Sequence, residues 1–487
     1  MTYQIVQINV SQTLSATPNN LQQRGAVLSF GATMATQGKA QLLVDKSEIN
    51  DWVRNPISTY VGTYTPPTED EDEDDGDGGG AGTFSGDAES APQLQASASA
   101  RAAGYTTYLL TVGDNRQFSQ PVGSTVNITV SGCYPTSFNG TFAATVSAAN
   151  QLTWQVESVE QDGSPTELGY ITLDGSDDVY AALNSFFAQG DAIGCYLLDM
   201  GQQSDVTAEI AAFSDYVADP DTRMYGYVVP NDWDGVDQFL QLAKNYTAND
   251  QMVYFFLVTG QPQNNRYTSP YTGIKSVVAV VDITAPTTNM AAAFMYQVVS
   301  MDPSPVNKVG PYAFRYVQGA TPVDYKNSIT KALVAANVNY VQSGAEGGIS
   351  RNIFALGVSS DGNDFSYWYS VDWIQINVHL QLANAVINGS NNAINPLYYD
   401  QDGIERLQQT AQSVFNTGTA YGLVNGTATV NAIAFRSYVQ LNPNDYKQGR
   451  YAGLSAEYTP NRGFLKIVFN VNVNLNPQGT TTSTLGA

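Results

Sequence analysis

Apolar residues recur at spacings of three and four along one long segment in the second half of the chain. The first apolar stripe consists of Val371, Ile374, Val378, Leu382 and Ala385. A second stripe begins at Trp373, and asparagine and glutamine residues occupy the remaining side. This spacing predicts a helix, and apolar residues over so much of its circumference predict burial on more than one side. Gly389 is well placed to end the helix in a left-handed cap.

Other elements precede this helix in a definite order. A short amphipathic helix starts at Lys331 and runs into a β-prone segment, and a glycine-rich turn follows at 344–348. A second β-prone segment covers Ile353 to Val358, and a polar turn lies at 360–363. Ala432 to Val439 and Gly463 to Asn476 are predicted to be later strands, with a further helix at 402–418.

Between residues 171 and 285, amphipathic segments alternate with short, nearly continuous apolar runs. The helices predicted at 179–190, 207–220 and 235–246 are each followed by such a run. This order favours a largely parallel sheet covered by helices on both faces.

Strict alternation of apolar and polar residues marks two other parts of the chain. Three alternating segments between 105 and 159 are separated by turns, which predicts a small inserted antiparallel sandwich or barrel. Thr2 to Val10 also alternates, which predicts a strand that must find a partner in this chain or in a neighbour.

These patterns predict a multidomain protein of the α/β and α+β classes. It contains a mixed, mostly parallel sheet with helices, an inserted antiparallel β-rich domain, and a C-terminal α+β domain with extended terminal strands. The predicted parts are an N-terminal arm that joins the C-terminal domain (1–23), an α/β middle domain (24–58 and 166–325), an inserted acidic loop and β-rich outer domain (59–165), the C-terminal domain (326–463), and a C-terminal strand and tail (464–487).

The chain has few charged residues, and their signs are unevenly distributed. Only 13% of its 487 residues are charged, against about 25% in ordinary globular proteins. Neutral polar surface suits permanent subunit contacts, because burying a neutral group costs less than burying an ion. The formal net charge is −23, yet from Pro303 onward 11 bases face 10 acids. The chain therefore lacks the basic footprint of a nucleic-acid-binding protein.

The acidity is concentrated in one segment. Ten acids and no lysine or arginine lie between 59 and 100, and eight of those acids fall between Glu69 and Asp77. Like charges at this density repel each other, so a solvated loop is predicted. The spacing does not match a calcium-binding loop of the EF-hand type.

Little in the sequence indicates catalysis, a metal or a cofactor. His379 is the only histidine and is predicted to serve packing, although Asp372 and Gln375 share its flank of the helix. Cys133 and Cys195 are too few for a disulfide framework or a zinc site and are predicted to be reduced, half-buried thiols. No Walker motif or dinucleotide-binding glycine motif occurs. We therefore expect no catalytic, metal-binding or cofactor-binding residues, and no enzyme.

The chain also carries no sequence signal for export or for crossing a membrane. The first ten residues lack the basic start and long apolar run of a signal peptide. No stretch approaches the ~18 apolar residues that a membrane span needs. We therefore expect the protein to fold in a cytoplasm and not to insert into a membrane.

The order of elements from Lys331 to Asn388 resembles the C-terminal module of the sheath proteins of contractile phage tails and related injection machines. The resemblance continues from Asn442 to Val473, with a polar turn, Gly449-Arg450, a strand, a proline turn and a last apolar strand. It covers about a third of the chain clearly. This chain departs from the family at Ile353 to Val358, where sheath proteins usually carry a Gly-x-Arg-Thr-like sequence.

The resemblance implies a structural protein of the virion, assembled in the cytoplasm of a bacterial host. Sheath subunits form a helical homopolymer around a tail tube, and contraction drives the tube through the target cell envelope. The partners implied are further copies of the chain, the tail tube protein, and the baseplate and tail terminator proteins. The C-terminal sheath domain would lie on the tube, and the inserted domain would face outward.

Two sets of residues are expected to make these contacts. The terminal segments should form strands exchanged between subunits, through Ile5, Val6, Ile8, Val10, Ile467, Phe469, Val471 and Val473. A local excess of bases between 431 and 470 is expected to face the tube, through Arg436, Lys447, Arg450, Arg462 and Lys466. Scatter of charges over a solvated surface would explain the same excess.

Two alternatives remain open at the level of sequence. One is a secreted or virion-attached carbohydrate-active enzyme that uses the β-rich insertion as a binding module, because sequence cannot exclude a catalytic carboxylate pair. The other is a capsid or adhesin-type structural protein. Self-assembly into open-ended tubes would separate a sheath from both.

Overall fold

A computed structural model gives the fold of most of the chain. The structure describes residues 20–56, 63–65, 83–85, 93–97, 105–111, 118, 120–132, 136, 139–157, 170–248, 252–262, 268–346 and 349–464. The helices are α1 Ile49–Trp52, α2 Ser176–Phe187, α3 Val206–Ala218, α4 Asp237–Ala248, α5 Met290–Val299, α6 Asn327–Ala335, α7 Phe365–Ser390, α8 Gln401–Ala420, α9 Phe435–Leu441 and α10 Pro443–Lys447.

The strands of the described residues form two large sheets and two small ones. They are β1 Gly25–Ser29, β2 Ala40–Leu43, β3 Arg54–Pro56, β4 Thr63–Thr65, β5 Thr83–Ser85, β6 Gln93–Ser97, β7 Tyr105–Thr111, β8 Thr125–Ser131, β9 Gly140–Ala148, β10 Gln151–Glu157, β11 Tyr170–Leu173, β12 Cys195–Asp199, β13 Gly226–Val228, β14 Tyr254–Thr259, β15 Val277–Val281, β16 Asn339–Glu346, β17 Ile349–Phe354, β18 Val424–Ala432 and β19 Leu454–Pro460.

The larger sheet has eight strands in the order β17-β16-β15-β14-β13-β1-β12-β2. The pairs from β12 to β16 are parallel, and β2 and β17 add antiparallel edges. This arrangement confirms a mixed, mostly parallel sheet. Every residue of β14 and β15 is buried, because helices cover both faces. Alternate residues of β14 point into two different hydrophobic cores. One core contains residues of α2, α5 and the first half of α7, and the other contains residues of α3, α4 and α6.

The large sheet continues past residue 325, where a domain boundary is predicted. β16 pairs in parallel with β15, and the glycine-rich turn joins β16 to β17 as a hairpin. The strand predicted at Ile353 to Val358 therefore lies earlier, at Ile349–Phe354. The chain leaves the hairpin pairing before Gly357, which has φ +69° and lies directly against the backbone of Tyr312 and Ala313.

Replacing Gly357 with alanine should lower the free energy of unfolding by more than about 2 kcal/mol. A left-handed residue with a Cβ costs about 1–2 kcal/mol, and the new methyl group would also overlap neighbouring backbone atoms. Gly449→Ala is the matched control, since Gly449 has φ +67° and nothing within 4 Å of an added Cβ. Urea unfolding measures the free energy of unfolding of both variants, and the difference between them gives the effect of crowding at Gly357. Equal decreases in the two variants would show that crowding contributes nothing.

The second large sheet is antiparallel, in the order β3-β11-β8-β9-β10-β7-β6. Ile128, Val146 and Leu152 are completely buried on it, and Trp154 and the nearby Met34 are buried in the same core. The described strands of the insertion form this one sheet and a separate β4–β5 ribbon, not the expected sandwich or barrel. The flanking strands β3 and β11 belong to the same sheet, so the insertion extends a sheet that begins outside it.

The long helix α7 differs from its prediction in two ways. Its first half is largely buried, whereas the second half is more exposed and Ile387 is 42% exposed. Gly389 is helical and does not form a left-handed cap, because α7 continues to Ser390. The absence of a Cβ at Gly389 instead leaves space for the side chain of Leu397.

The strand predicted at Ala432 to Val439 is wrong, because helix α9 begins at Phe435 and the strand lies before it. Phe435 and Tyr438 are three residues apart, so the same side of a helix carries both rings. Both rings join one aromatic cluster with Tyr446 and Tyr451, which a strand could not reach with this spacing.

Candidate assembly surface

Three of the basic residues expected to face the tube lie on one short segment. Arg436 is on α9, Lys447 ends α10, and Arg450 follows the left-handed turn at Gly449; all three are exposed. The Arg450 backbone N–H donates to the carbonyl of Asp445 at 2.8 Å, which holds this turn closed. The α9–α10 segment therefore presents these three charges to solvent.

The other two expected residues do not join this group. Arg462 follows β19, and its guanidinium lies 4.5 Å from the ring centroid of Tyr367, near the start of α7. Lys466 lies outside the described residues. So do all eight residues expected in exchanged strands, namely Ile5, Val6, Ile8, Val10, Ile467, Phe469, Val471 and Val473.

An aromatic cluster that sequence reasoning missed supports the α9–α10 segment. Its rings have centroids 4.7–6.1 Å apart and belong to Tyr399, Phe435, Tyr438, Tyr446 and Tyr451. The Tyr438 hydroxyl donates to Asp445 Oδ2 at 2.6 Å and accepts from the Ala452 N–H at 2.9 Å. Desolvation and this hydrogen bond raise the pKa of Tyr438. The high density of aromatic residues between 435 and 451 is the feature of the sequence that could have predicted this cluster.

A small antiparallel sheet, β18–β19, packs against α8. Ala428 and Val430 of β18 are buried on the side that faces α8. The ring of Phe415 on α8 lies 5.1 Å from the ring of Tyr458 on β19. The opposite face is open, because Ser455 and Glu457 are exposed. This open face is a second surface of the C-terminal region that is exposed to solvent among the described residues.

The group around His379 is not arranged as a catalytic triad. Asp372 is 1% exposed and accepts hydrogen bonds from the hydroxyls of Tyr225 and Tyr254, each at 2.8 Å. His379 is half-buried, and its burial lowers its pKa. Asp372 thus attaches α7 to the large sheet.

The carboxyl end of the large sheet is occupied by a side chain of the protein itself. Asp199 is completely buried and accepts from the N–H groups of Gly31, Thr33 and Gly201 and from the hydroxyls of Ser29 and Thr33. In nucleotide-binding α/β proteins, N–H groups at this position hold a phosphate. Here a carboxylate already takes them.

The cysteines, the acidic groups and the cavities of the described residues also give no indication of a reactive or ligand-binding site. Cys195 is fully buried, not half-buried as expected, and burial raises the pKa of its thiol, which makes it unreactive. Cys133 lies outside the described residues. Over the described ranges, no cluster of His, Cys, Asp or Glu could hold a metal, and no helix is both long enough and apolar enough to span a membrane. A cavity of about 420 Å³ beside the start of α8 and one of about 450 Å³ beside the start of α2 are lined mainly by polar groups.

Comparison with known proteins gives only distant structural similarity. No family model and no curated protein matches the chain. A sheath tail protein from Listeria innocua aligns over 84% of this chain and 88% of its own length, with 9% identity and a TM-score of 0.40. The cytochrome b5 reductase domain of Ulva prolifera nitrate reductase aligns over 43% of this chain and 93% of its own, with 11% identity and a TM-score of 0.14. At these scores neither alignment assigns a fold or a function.

Proposed function

We propose that this chain is the structural subunit of a contractile tail sheath. Copies polymerise helically around a tail tube and contract to drive the tube through the target cell envelope. The polymer is part of a virion tail assembled in the bacterial cytoplasm, where it also meets baseplate and tail terminator proteins. The observation that carries this proposal is the β18–β19 sheet, which has two strands among the described residues and is followed in the sequence by a segment with the alternation of a strand.

An isolated pair of strands is only marginally stable in water, and this pair is stabilised within the subunit by packing on α8. The pair packs one face on α8, and Ser455, Ala456 and Glu457 of β19 are exposed. Strands added at an edge of this sheet would therefore extend it without rearranging the subunit. The terminal segments at Thr2 to Val10 and 464–475 have the alternation that such added strands require. Strand addition between copies therefore links neighbours through the residues expected from the sequence.

The chain direction after β19 favours addition in a neighbour over pairing within the same chain. The Asn461 backbone N–H donates to Leu423 O at 3.0 Å, and its side chain donates to Gly422 O at 2.7 Å. Gly463 then lies directly against Pro311. These contacts direct the chain towards the start of α7 and away from a tight hairpin turn onto β19.

The exposed bases on α9–α10 suit attachment to the tube. Weak, screened contacts repeated along a polymer can hold the extended state and still release during contraction. Double charge reversal, Lys447→Glu with Arg450→Glu, should weaken co-assembly with the tail tube protein at low salt while tube-free polymers still form. Co-sedimentation with preformed tubes measures this. The matched control is Lys326→Glu with Lys331→Glu, which changes two exposed lysines at the N-cap of α6 and on α6 itself. Unchanged co-sedimentation would place the attachment elsewhere.

Electron microscopy of the purified chain tests the proposed function most directly. Negative staining should show open-ended tubes with helical striation, with or without a tube inside. A carbohydrate-active enzyme would remain as separate particles, and a capsid protein would form closed shells. Either result at high protein concentration would overturn the proposal.

A further inference from the structure

Two glutamines of α8 bond to the backbone of β18. Gln412 Oε1 accepts from the Val430 N–H at 2.9 Å, and Gln412 Nε2 donates to the Ala428 carbonyl at 2.8 Å. Gln408 Nε2 donates to the Val430 carbonyl at 2.7 Å. Both side chains therefore bind the backbone groups that a neighbouring strand would otherwise bind.

The register of the sheet shows which edge these groups face. Val430 lies opposite Ala456 in the antiparallel pair. Because the Val430 N–H and C=O are both bound by α8, this pair is not one of the mutually hydrogen-bonded pairs, and the backbone groups of both residues point away from the partner strand. Ala456 therefore presents its N–H and C=O to the opposite, outer edge of β19, where the residue is exposed.

We propose that Gln408 and Gln412 close the β18 edge, so that a strand from a second copy adds only along β19. This inference rests on the proposed function and specifies the edge of the sheet at which strand addition occurs. Open strand edges pair indiscriminately unless something blocks them. With the β18 edge closed, added strands can extend the sheet only from the β19 side, and neighbours cannot pair edge to edge through β18.

The occupant we assign to the β19 edge is the segment 465–475 of a second copy. Ile467, Phe469, Val471 and Val473 alternate with Asn470, Asn472 and Asn474. This pattern fits a sheet with one apolar face and one solvated face. β19 itself has that character, because Leu454 and Tyr458 are half-buried while Ser455 and Glu457 are exposed.

The first test blocks the β19 edge with a proline. In Ala456→Pro, the lost N–H is the one that points outward, so the pairing with β18 keeps its hydrogen bonds. We expect a monomer with the wild-type circular dichroism spectrum that forms no tubes. Ala456→Val retains the N–H and should form tubes. Normal tubes from Ala456→Pro, beside normal wild-type tubes, would overturn this inference and leave the proposed function intact; absence of wild-type tubes would count against the proposed function.

A second test does not depend on the proline variant folding. Residue-resolved hydrogen exchange of wild type should show the Val430 amide protected in the monomer and unchanged in tubes. The Ala456 amide should exchange at least about tenfold more slowly after assembly. Gln408→Met with Gln412→Met should expose the Val430 amide and yield disordered aggregates beside tubes. A Val430 amide that stays protected in the double variant, or an Ala456 amide unchanged by assembly, would overturn the inference.

The occupant is tested by truncation after Arg462, with a synthetic peptide of residues 463–476 added back. The peptide should slow exchange at Ala456 in the truncated monomer and leave Val430 unchanged. A peptide of residues 1–12 that protects Ala456 instead would overturn the assignment to 465–475.

Discussion

Asp372→Ala is expected to lower the free energy of unfolding by about 3 kcal/mol or more, because it leaves two buried tyrosine hydroxyls without an acceptor. Tyr225 and Tyr254 precede or begin neighbouring strands of the large sheet, and both donate to Asp372 Oδ2 at 2.8 Å. All three residues are at most 1% exposed, so water cannot replace the lost carboxylate without opening the core. Urea unfolding of the unassembled subunit measures the loss.

Three further variants separate the hydrogen bonds from the general effect of a substitution. Tyr254→Phe removes one donor, and Asp372 keeps its hydrogen bond from Tyr225. The free energy of unfolding should therefore fall by less than in Asp372→Ala. Asp372→Asn keeps an acceptor oxygen and should be intermediate. Asp215→Ala, on an exposed position of α3, should change stability by less than about 0.5 kcal/mol. An Asp372→Ala loss no larger than that of Asp215→Ala would rule out a stabilising role for the network.

This network fixes the C-terminal region to the large sheet. Gln22 also donates to the carbonyl of Tyr369 at 2.9 Å, so the start of the described chain is attached to α7 as well. Under the proposed function, these connections would hold the two parts of the subunit together while the polymer contracts. The hydrogen bonds of Asp372 therefore matter to the proposed function through rigidity, not through chemistry.

The parallel sheet could be predicted because its strands are buried on both faces. In β14 and β15 no polar position interrupts the apolar run until Thr259, and amphipathic helices separate the strands along the chain. Helices α2, α3, α4 and α8 have apolar stripes of the ordinary kind, and the structure places them within a few residues of the predicted positions. Local pattern is sufficient where one element has one buried face.

Other features depend on contacts that no local pattern contains. All ten residues of α5 are buried, so this helix has no polar side and no amphipathic period to recognise. In α9, the rings of Tyr399 and Tyr451 stabilise a helix whose own apolar residues also suit a strand. Gln408 and Gln412 look like ordinary solvated residues in the sequence, and their role depends on β18 lying beside them. These parts of the candidate site could be recognised only once the tertiary structure was known.

Removing residues 1–12 should give a folded subunit that no longer forms tubes. The truncation ends well before Leu21, which is completely buried, and Gln22, which bonds to α7, so the described core keeps its first anchors. It removes Ile5, Val6, Ile8 and Val10, which under the proposed function form a strand in a neighbouring copy. Loss of that strand removes a full set of backbone hydrogen bonds from every subunit contact.

Light scattering coupled to size-exclusion chromatography should show monomers of the truncated chain at concentrations where wild type elutes as polymer. Its unfolding midpoint should match that of the wild-type monomer, because the removed residues act between copies. Deletion of Glu69 to Gly82 is the control: it removes a similar length of chain from the acidic segment, which is expected to face outward, and should leave tube formation unchanged. Tubes of normal appearance from the 1–12 truncation would show that the N-terminal segment does not link subunits, and loss of tubes after the acidic deletion would show that shortening the chain is itself enough to prevent assembly.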